Sequence, residues 1–181
     1  MKKLSYLSRS QLQTIHNLKS ARNASKVLKE MEGYLNSFRD GGGENVYYLN
    51  KEGRERVGST KVLKKTSTAR HYIMRNSVYI AFGCPTTWKN EMKLEVTGKV
   101  KVIADALFKR DKRLHIVEVD HTQKMTKNRS KVQRYKKLIE LGVFEKQPQF
   151  IWITTTEYRR KHLLAMCEGM DVKVFTAKDF I

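Results

Sequence analysis

Lys101-Val-Ile-Ala-Asp-Ala-Leu-Phe108, followed after a short charged turn by Leu114-His-Ile-Val-Glu-Val-Asp120, sets acids inside two otherwise apolar runs of strand character. Alternation with a period of two puts Leu114, Ile116, Glu118 and Asp120 on one face of the second run and Val117 and Val119 on the other. Glu118 and Asp120 therefore point the same way, about 7 Å apart at strand rise, and Asp105 stands in the neighbouring run. Carboxylates gathered at the end of a buried sheet repel one another and lose hydration. Raised pKa values, basic partners or a bound divalent cation must offset that cost. Of the three, the cation has chemical consequences; the plainer alternative is an ion-pair network with the surrounding lysines and arginines.

The flanking sequence supplies the rest of a sheet. Residues 68–82 predict a helix, ended by Gly83-Cys-Pro85. Residues 92–96, 100–108 and 114–120 predict three strands with short connections, which suggests an antiparallel meander. A helical stripe of Val132, Tyr135, Leu138 and Ile139 follows in 126–141, with a basic opposite side of Lys127, Arg129, Lys131, Arg134, Lys136 and Lys137. Unrelieved like charges at helical spacing cost stability, so a phosphate-facing role is the expectation for that side. A buried strand (150–154), a helix (157–168) and a last strand (172–175) complete the order. Trp88, Trp152 and Tyr158 are candidates for base stacking, although the apolar neighbours of Trp152 favour a core position.

Upstream, Ser8-Arg-Ser-Gln11 has the form of a capping box, with Leu12, Ile15 and then Leu18 or Lys19 at helical spacing. A second helix is predicted over 22–32, with Ala24, Val27, Leu28 and Met31 inward, Gly33 as its stop, and Arg22, Asn23, Ser25, Lys26 and Lys29 outward. Strand-like runs at 34–38 and 45–49 flank Asp40-Gly-Gly-Gly-Glu44, read as a flexible hairpin tip. Helix, helix and hairpin in that order predict a winged helix-turn-helix over residues 1–60. Such a module sets its second helix in the major groove of double-stranded DNA, with Arg22 and Asn23 as base readers and Arg39 carried towards phosphate. Without the hairpin and the charge, an amphipathic pair with a solvated face, or a protein-docking module, would explain the helices equally well. Residues 51–57 predict one or two more helical turns. A basic connector follows, containing Lys61, Lys64 and Lys65, and a second domain is expected over 66–181.

The 181 residues carry 37 Lys and Arg against 18 Asp and Glu, a net charge of +19. This is far beyond the magnitude of about 2 to 8 that suits a small soluble domain, and it points to a polyanionic partner. Nucleic acid fits better than membrane, since the sequence shows no long apolar span, signal peptide or lipidation motif. Cys84 and Cys167 lack metal-binding or disulfide spacing, which fits a reducing cytoplasmic interior. The oligomeric state is left open, a dimer included.

The order of elements in 66–181, with an acid in the second strand and the Glu118-Val-Asp120 triplet in the third, resembles the PD-(D/E)xK nuclease-like superfamily: a central mixed sheet flanked by helices, α+β or α/β in class. With the N-terminal module added, Tyr47-Tyr-Leu-Asn-Lys-Glu-Gly53, His71, Trp88-Lys-Asn-Glu91, Ile103-Ala-Asp105, Glu118-Val-Asp120 and Tyr135 together are similar to the replication-relaxation family of plasmids, phages and integrative elements in Gram-positive bacteria, over nearly the whole chain. The resemblance implies a DNA-binding protein that assists or regulates replication, and in some settings transcription, with proteins of those processes as partners. It carries over Glu91, Asp105, Glu118 and Asp120 as catalytic positions. Mg2+ or Mn2+ would sit at Asp105 and Glu118, with Glu91 acting through water and Asp120 as a further ligand or holding a base. Two departures stand out. Ala104 replaces the proline of the motif, and Asp120 replaces the lysine that would orient the attacking water and stabilise phosphate charge. Lys124 is the nearest lysine in sequence to take over that task, and His121 an alternative general base. A metal-dependent endonuclease and a DNA binder that does not cleave both remain open.

Overall fold

Ser8 accepts a hydrogen bond from the Gln11 amide, and the Gln11 side chain accepts one from the Ser8 amide, so the predicted capping box opens the first helix. The computed structural model describes residues 1–40 and 43–180; Gly41 and Gly42, within the expected hairpin tip, lie outside the described residues. The chain divides into two compact units, Met1–Ile80 and Ala81–Ile181.

The first unit contains β1 (Leu7–Ser8), α1 (Arg9–Ile15), α2 (Ala21–Glu30), β2 (Leu35–Arg39), β3 (Asn45–Leu49), α3 (Lys51–Val57) and α4 (Ala69–Ala81). Its three strands form an antiparallel sheet in the order β1-β3-β2. β1, two residues long, is absent from the sequence reading because it is too short to show alternation. Leu4, Leu7, Leu12, Leu28, Leu35 and Leu49 form one core, and Tyr6, Val46, Tyr48, Ala69 and Ile73 a second.

α4, expected from its apolar positions to open the second domain, is instead counted with the first unit. Polar groups tie it there. Buried Gln11 donates to the Ile73 carbonyl (2.8 Å) and the Ser77 hydroxyl (3.1 Å), and buried Asn76 donates to the carbonyls of Leu4 (3.1 Å) and Tyr6 (2.7 Å). Arg75, 1% exposed, donates to the Leu4 carbonyl and lies over the Tyr72 ring at 5.0 Å. The division between units thus falls at the end of α4 and not in the basic connector.

The second unit is a five-stranded mixed sheet flanked by helices, in the order β4-β5-β6-β7-β8: β4 (Lys89–Val96), β5 (Val100–Arg110), β6 (Arg113–Asp120), α5 (Met125–Glu140), β7 (Gln149–Thr154), α6 (Glu157–Met166) and β8 (Val172–Thr176). β4, β5 and β6 form the expected antiparallel meander; β7 and β8 then add in parallel, with α5 and α6 as crossovers. Ile116, Val132, Tyr135, Leu138, Phe150, Trp152 and Leu163 form the core between sheet and helices. On the opposite face Trp88, Phe108 and His115 stack, with centroids 5.5 and 4.7 Å apart, so both tryptophans are core residues. Tyr158 alone of the three stacking candidates is exposed.

Candidate functional site

β6 lies inside the sheet with β5 on one side and β7 on the other, so its run from His115 to Asp120 is wholly buried. Glu118 and Asp120 both turn towards α5, as the alternation requires: Tyr135 and Lys131 donate to Glu118, and Asn128 donates to Asp120 (2.9 Å). These three α5 residues, at intervals of three and four, form one helix face set against the acids.

Asp105 joins Glu118 through a break in the neighbouring strands. β4 and β5 pair at Asn90–Ala106 and again at Met92–Ala104 but not at Glu91–Asp105, and Glu91 has a left-handed backbone (φ 53°). Beyond that point Ala106 and Phe108 sit opposite Val117 and His115, whereas Val102 and Ala104 pack with Ile116 and Val132 under α5. The strand therefore changes face at Asp105, and a break of this kind re-aims a side chain. Asp105 accepts a hydrogen bond from the Val119 amide (2.7 Å) and lies 3.9 Å from the Lys131 ammonium, which also contacts Glu118. Burial, and then the charge of Asp105, push the Glu118 carboxyl well above its ordinary pKa, with Lys131 opposing. Tyr135 is raised too, by burial first and by Glu118 second.

Asp120 has its own partners. The Arg159 guanidinium engages both its oxygens (2.7 and 2.5 Å), and Thr154 and Asn128 complete its hydrogen bonds. Burial alone would raise its pKa, but these donors and the Arg159 charge outweigh it and hold the carboxyl below its ordinary value. The four acids named from sequence are thus arranged as a close pair (Asp105 and Glu118), a separately clamped Asp120, and Glu91, an exposed residue level with Asp105 on the adjoining strand.

The acid pair is a poor fit for Mg2+ or Mn2+. Both Glu118 oxygens and one Asp105 oxygen already accept hydrogen bonds from protein donors, and the nearest further acid on the strand is locked to arginine. Among the described residues no group of three or more His, Cys, Asp or Glu side chains could hold a metal ion. One or two carboxylates with waters can hold such a cation, so what stands against it here is that these oxygens are already engaged, and by an ammonium among other donors.

Beside the pair, an open cleft of about 660 Å³ lies between β5 and α5, lined by Lys101, Val102, Ile103, Gln123, Lys127, Ser130, Lys131 and Arg134. The basic side of α5 is therefore not one surface. Lys127, Lys131 and Arg134 face this cleft, while Arg129 and Lys136 line a smaller hollow of about 390 Å³ with His162 and Met166 of α6. Lys124 stands exposed at the N-cap position of α5 without a side-chain capping bond, whereas Lys131 reaches Asp105 and Glu118.

In the first unit, Ala24 and Leu28 are the buried residues of α2, and Arg22, Asn23, Ser25, Lys26 and Lys29 are exposed. Two of these have local duties: Asn23 donates to the Leu18 carbonyl (3.0 Å) and Ser25 to the Ala21 carbonyl (2.9 Å). Arg39 is exposed at the end of β2. The hairpin is tied at both described shoulders, since Glu44 accepts from the Ser10 amide and hydroxyl (2.7 and 2.9 Å) and Arg70 lies 3.5 Å from Asp40.

Arg159, Asn128, Thr154 and Lys101 escaped the sequence reading. Thr154 and Asp120 are register partners in the parallel pair β6-β7, a relation that a sequence read strand by strand does not contain. The charge of Lys131 points to DNA, but its spacing of four from Tyr135 on the inward stripe signals that it borders the sheet.

No curated protein matches the chain. Among solved structures, the crystal structure of protein VC1899 from Vibrio cholerae is similar with a TM-score of 0.42 and 10% identity, over 88% of this chain and 40% of that one, so this chain spans less than half of that protein's length. The family model for Replication-relaxation matches residues 1–152. The matched stretch takes in α2, the break at Glu91 and Asp105, Glu118, and the Lys131 and Tyr135 that hold it: the chain belongs to the replication-relaxation family.

Proposed function

We propose that the protein binds double-stranded DNA and assists or regulates replication of a plasmid, phage or integrative element. On this reading the first unit is a winged helix-turn-helix and the second a PD-(D/E)xK-like fold that grips DNA backbone without cutting it. The observation that carries the proposal is the exposed row Arg22, Lys26 and Lys29, held outward by the buried Ala24 and Leu28 on the opposite side of α2. The β1-β3-β2 sheet behind it and the exposed Arg39 on the hairpin strand agree with that use, as does the net charge of +19. Arg22 remains the candidate base reader; Asn23 is better placed to shape the turn before the helix. In the second unit, Lys101, Lys127 and Arg134 offer cations to phosphate along the cleft.

Fluorescence anisotropy with labelled duplex tests this. Affinity should fall steeply with salt, and replacing Arg22, Lys26 and Lys29 together by alanine should weaken binding at least tenfold and reduce the log–log salt slope by about 2 to 3, near 0.9 per lost phosphate contact. A flat salt response, or unchanged affinity in the triple variant, would turn the reading towards protein docking. One observation favours a second reading: Lys131 stands against Asp105 and Glu118, where a nuclease needs its lysine. That reading requires magnesium-dependent nicking of supercoiled plasmid, lost on Asp105→Ala.

A further inference from the structure

We infer that Lys131 is a built-in cation: its ammonium takes the place between Asp105 and Glu118 that a divalent ion would need, and the protein keeps its acid pair without one. The inference does not depend on DNA binding. It starts from how firmly the lysine is placed. Lys131 lies between Asn128 and Tyr135 on one face of α5, and both of these are buried and hydrogen-bonded to acids of β6. The helix is thus fixed to the strand on either side of the lysine, and the ammonium is held at Glu118 with Asp105 3.9 Å away.

The remaining partners hold the two carboxyls in position around the ammonium. The Tyr135 hydroxyl takes the other Glu118 oxygen and the Val119 amide takes an Asp105 oxygen, so the carboxyls are oriented by N–H and O–H donors from separate elements. A divalent ion would have to displace the ammonium already seated at both carboxyls. Lysine presents three rotatable donors on a flexible stem, which suits two carboxyls carried on different strands.

Mn2+ is the probe, and the full-length chain the sample. Titration calorimetry of the unaltered protein should show no saturable Mn2+ binding. Lys131→Met should gain a single Mn2+ site, at least tenfold tighter than anything in the parent, and adding Asp105→Asn to that variant should abolish it. Lys131→Arg, which keeps the charge, should stay as indifferent to Mn2+ as the parent. Binding of one Mn2+ by the parent that Glu118→Gln removes would overturn the inference, as would a folded Lys131→Met that takes up no metal. The parent titration decides alone if that variant does not fold.

Discussion

Glu118 shows how a single buried acid can report on its surroundings. Its raised pKa, caused first by burial and then by Asp105, means that the native state favours the protonated form more than the unfolded chain does. The sign follows from linkage: this contribution to stability is fully present below the ordinary glutamate value and is lost as pH rises through the raised one. The melting temperature of Glu118→Gln, compared with the parent, should therefore move in the variant's favour from mildly acid to mildly alkaline buffer. A difference that ignores pH would mean that Lys131 keeps Glu118 ionised throughout. Gly53 makes a second case. A Cβ at this position would come within 2.1 Å of the Tyr34 carbonyl oxygen, and backbone cannot move aside as a side chain can. Gly53→Ala should destabilise the first unit by about 1 to 3 kcal/mol or more, the range for overpacking, in a urea titration. A neutral result would mean that α3 can shift on the sheet. This also explains Tyr47-Tyr-Leu-Asn-Lys-Glu-Gly53, in which Leu49 enters the core, Asn50 caps α3 by accepting from the Gly53 amide (2.9 Å), and Gly53 admits Tyr34.

At the scale of elements, strands and helices were legible wherever periodicity ran long enough. The meander, α5, β7 and the capping box stand within a few residues of their sequence reading, because alternation and capping are local properties. Three things were not local. β1 exists only through its pairing with β3. The allegiance of α4 rests on Gln11 and Asn76, polar residues that apolar patterning cannot weigh. The site itself was half legible: two acids two apart on a strand must share a face, but whether they share a partner depends on α5 and α6. Hence Asp105 and Glu118 converge as read, while Asp120 belongs to Arg159. α5 yields a discriminating prediction. Lys127→Ala and Arg134→Ala should each weaken duplex binding and lower the salt slope by about 1. Lys131→Ala should mainly lower thermal stability, since its charge is engaged by two acids. Equal losses of affinity at all three positions would show that Lys131 leaves the acids when DNA binds.

Across the whole molecule, the excess of basic charge sits on a chain whose described residues contain no helix long and apolar enough to cross a membrane. The family match ends at Trp152, while the guanidinium that holds Asp120 comes from Arg159 in α6, and β7 is covered on its outer edge by β8. A fragment stopped after Thr154 would leave a buried carboxylate without its counter-charge, at about 3 to 5 kcal/mol, and an open strand edge as well. It should elute as aggregate on size exclusion and lose cooperative melting; a monomeric, cooperatively melting fragment would show that Asn128 and Thr154 suffice.

The clamp on Asp120 has a consequence for how the chain is made. During synthesis β5, β6 and α5 leave the ribosome before α6, so the Asp120 carboxylate has no guanidinium to meet until Arg159 emerges. Settling of β6 into the interior is thereby coupled to the arrival of α6.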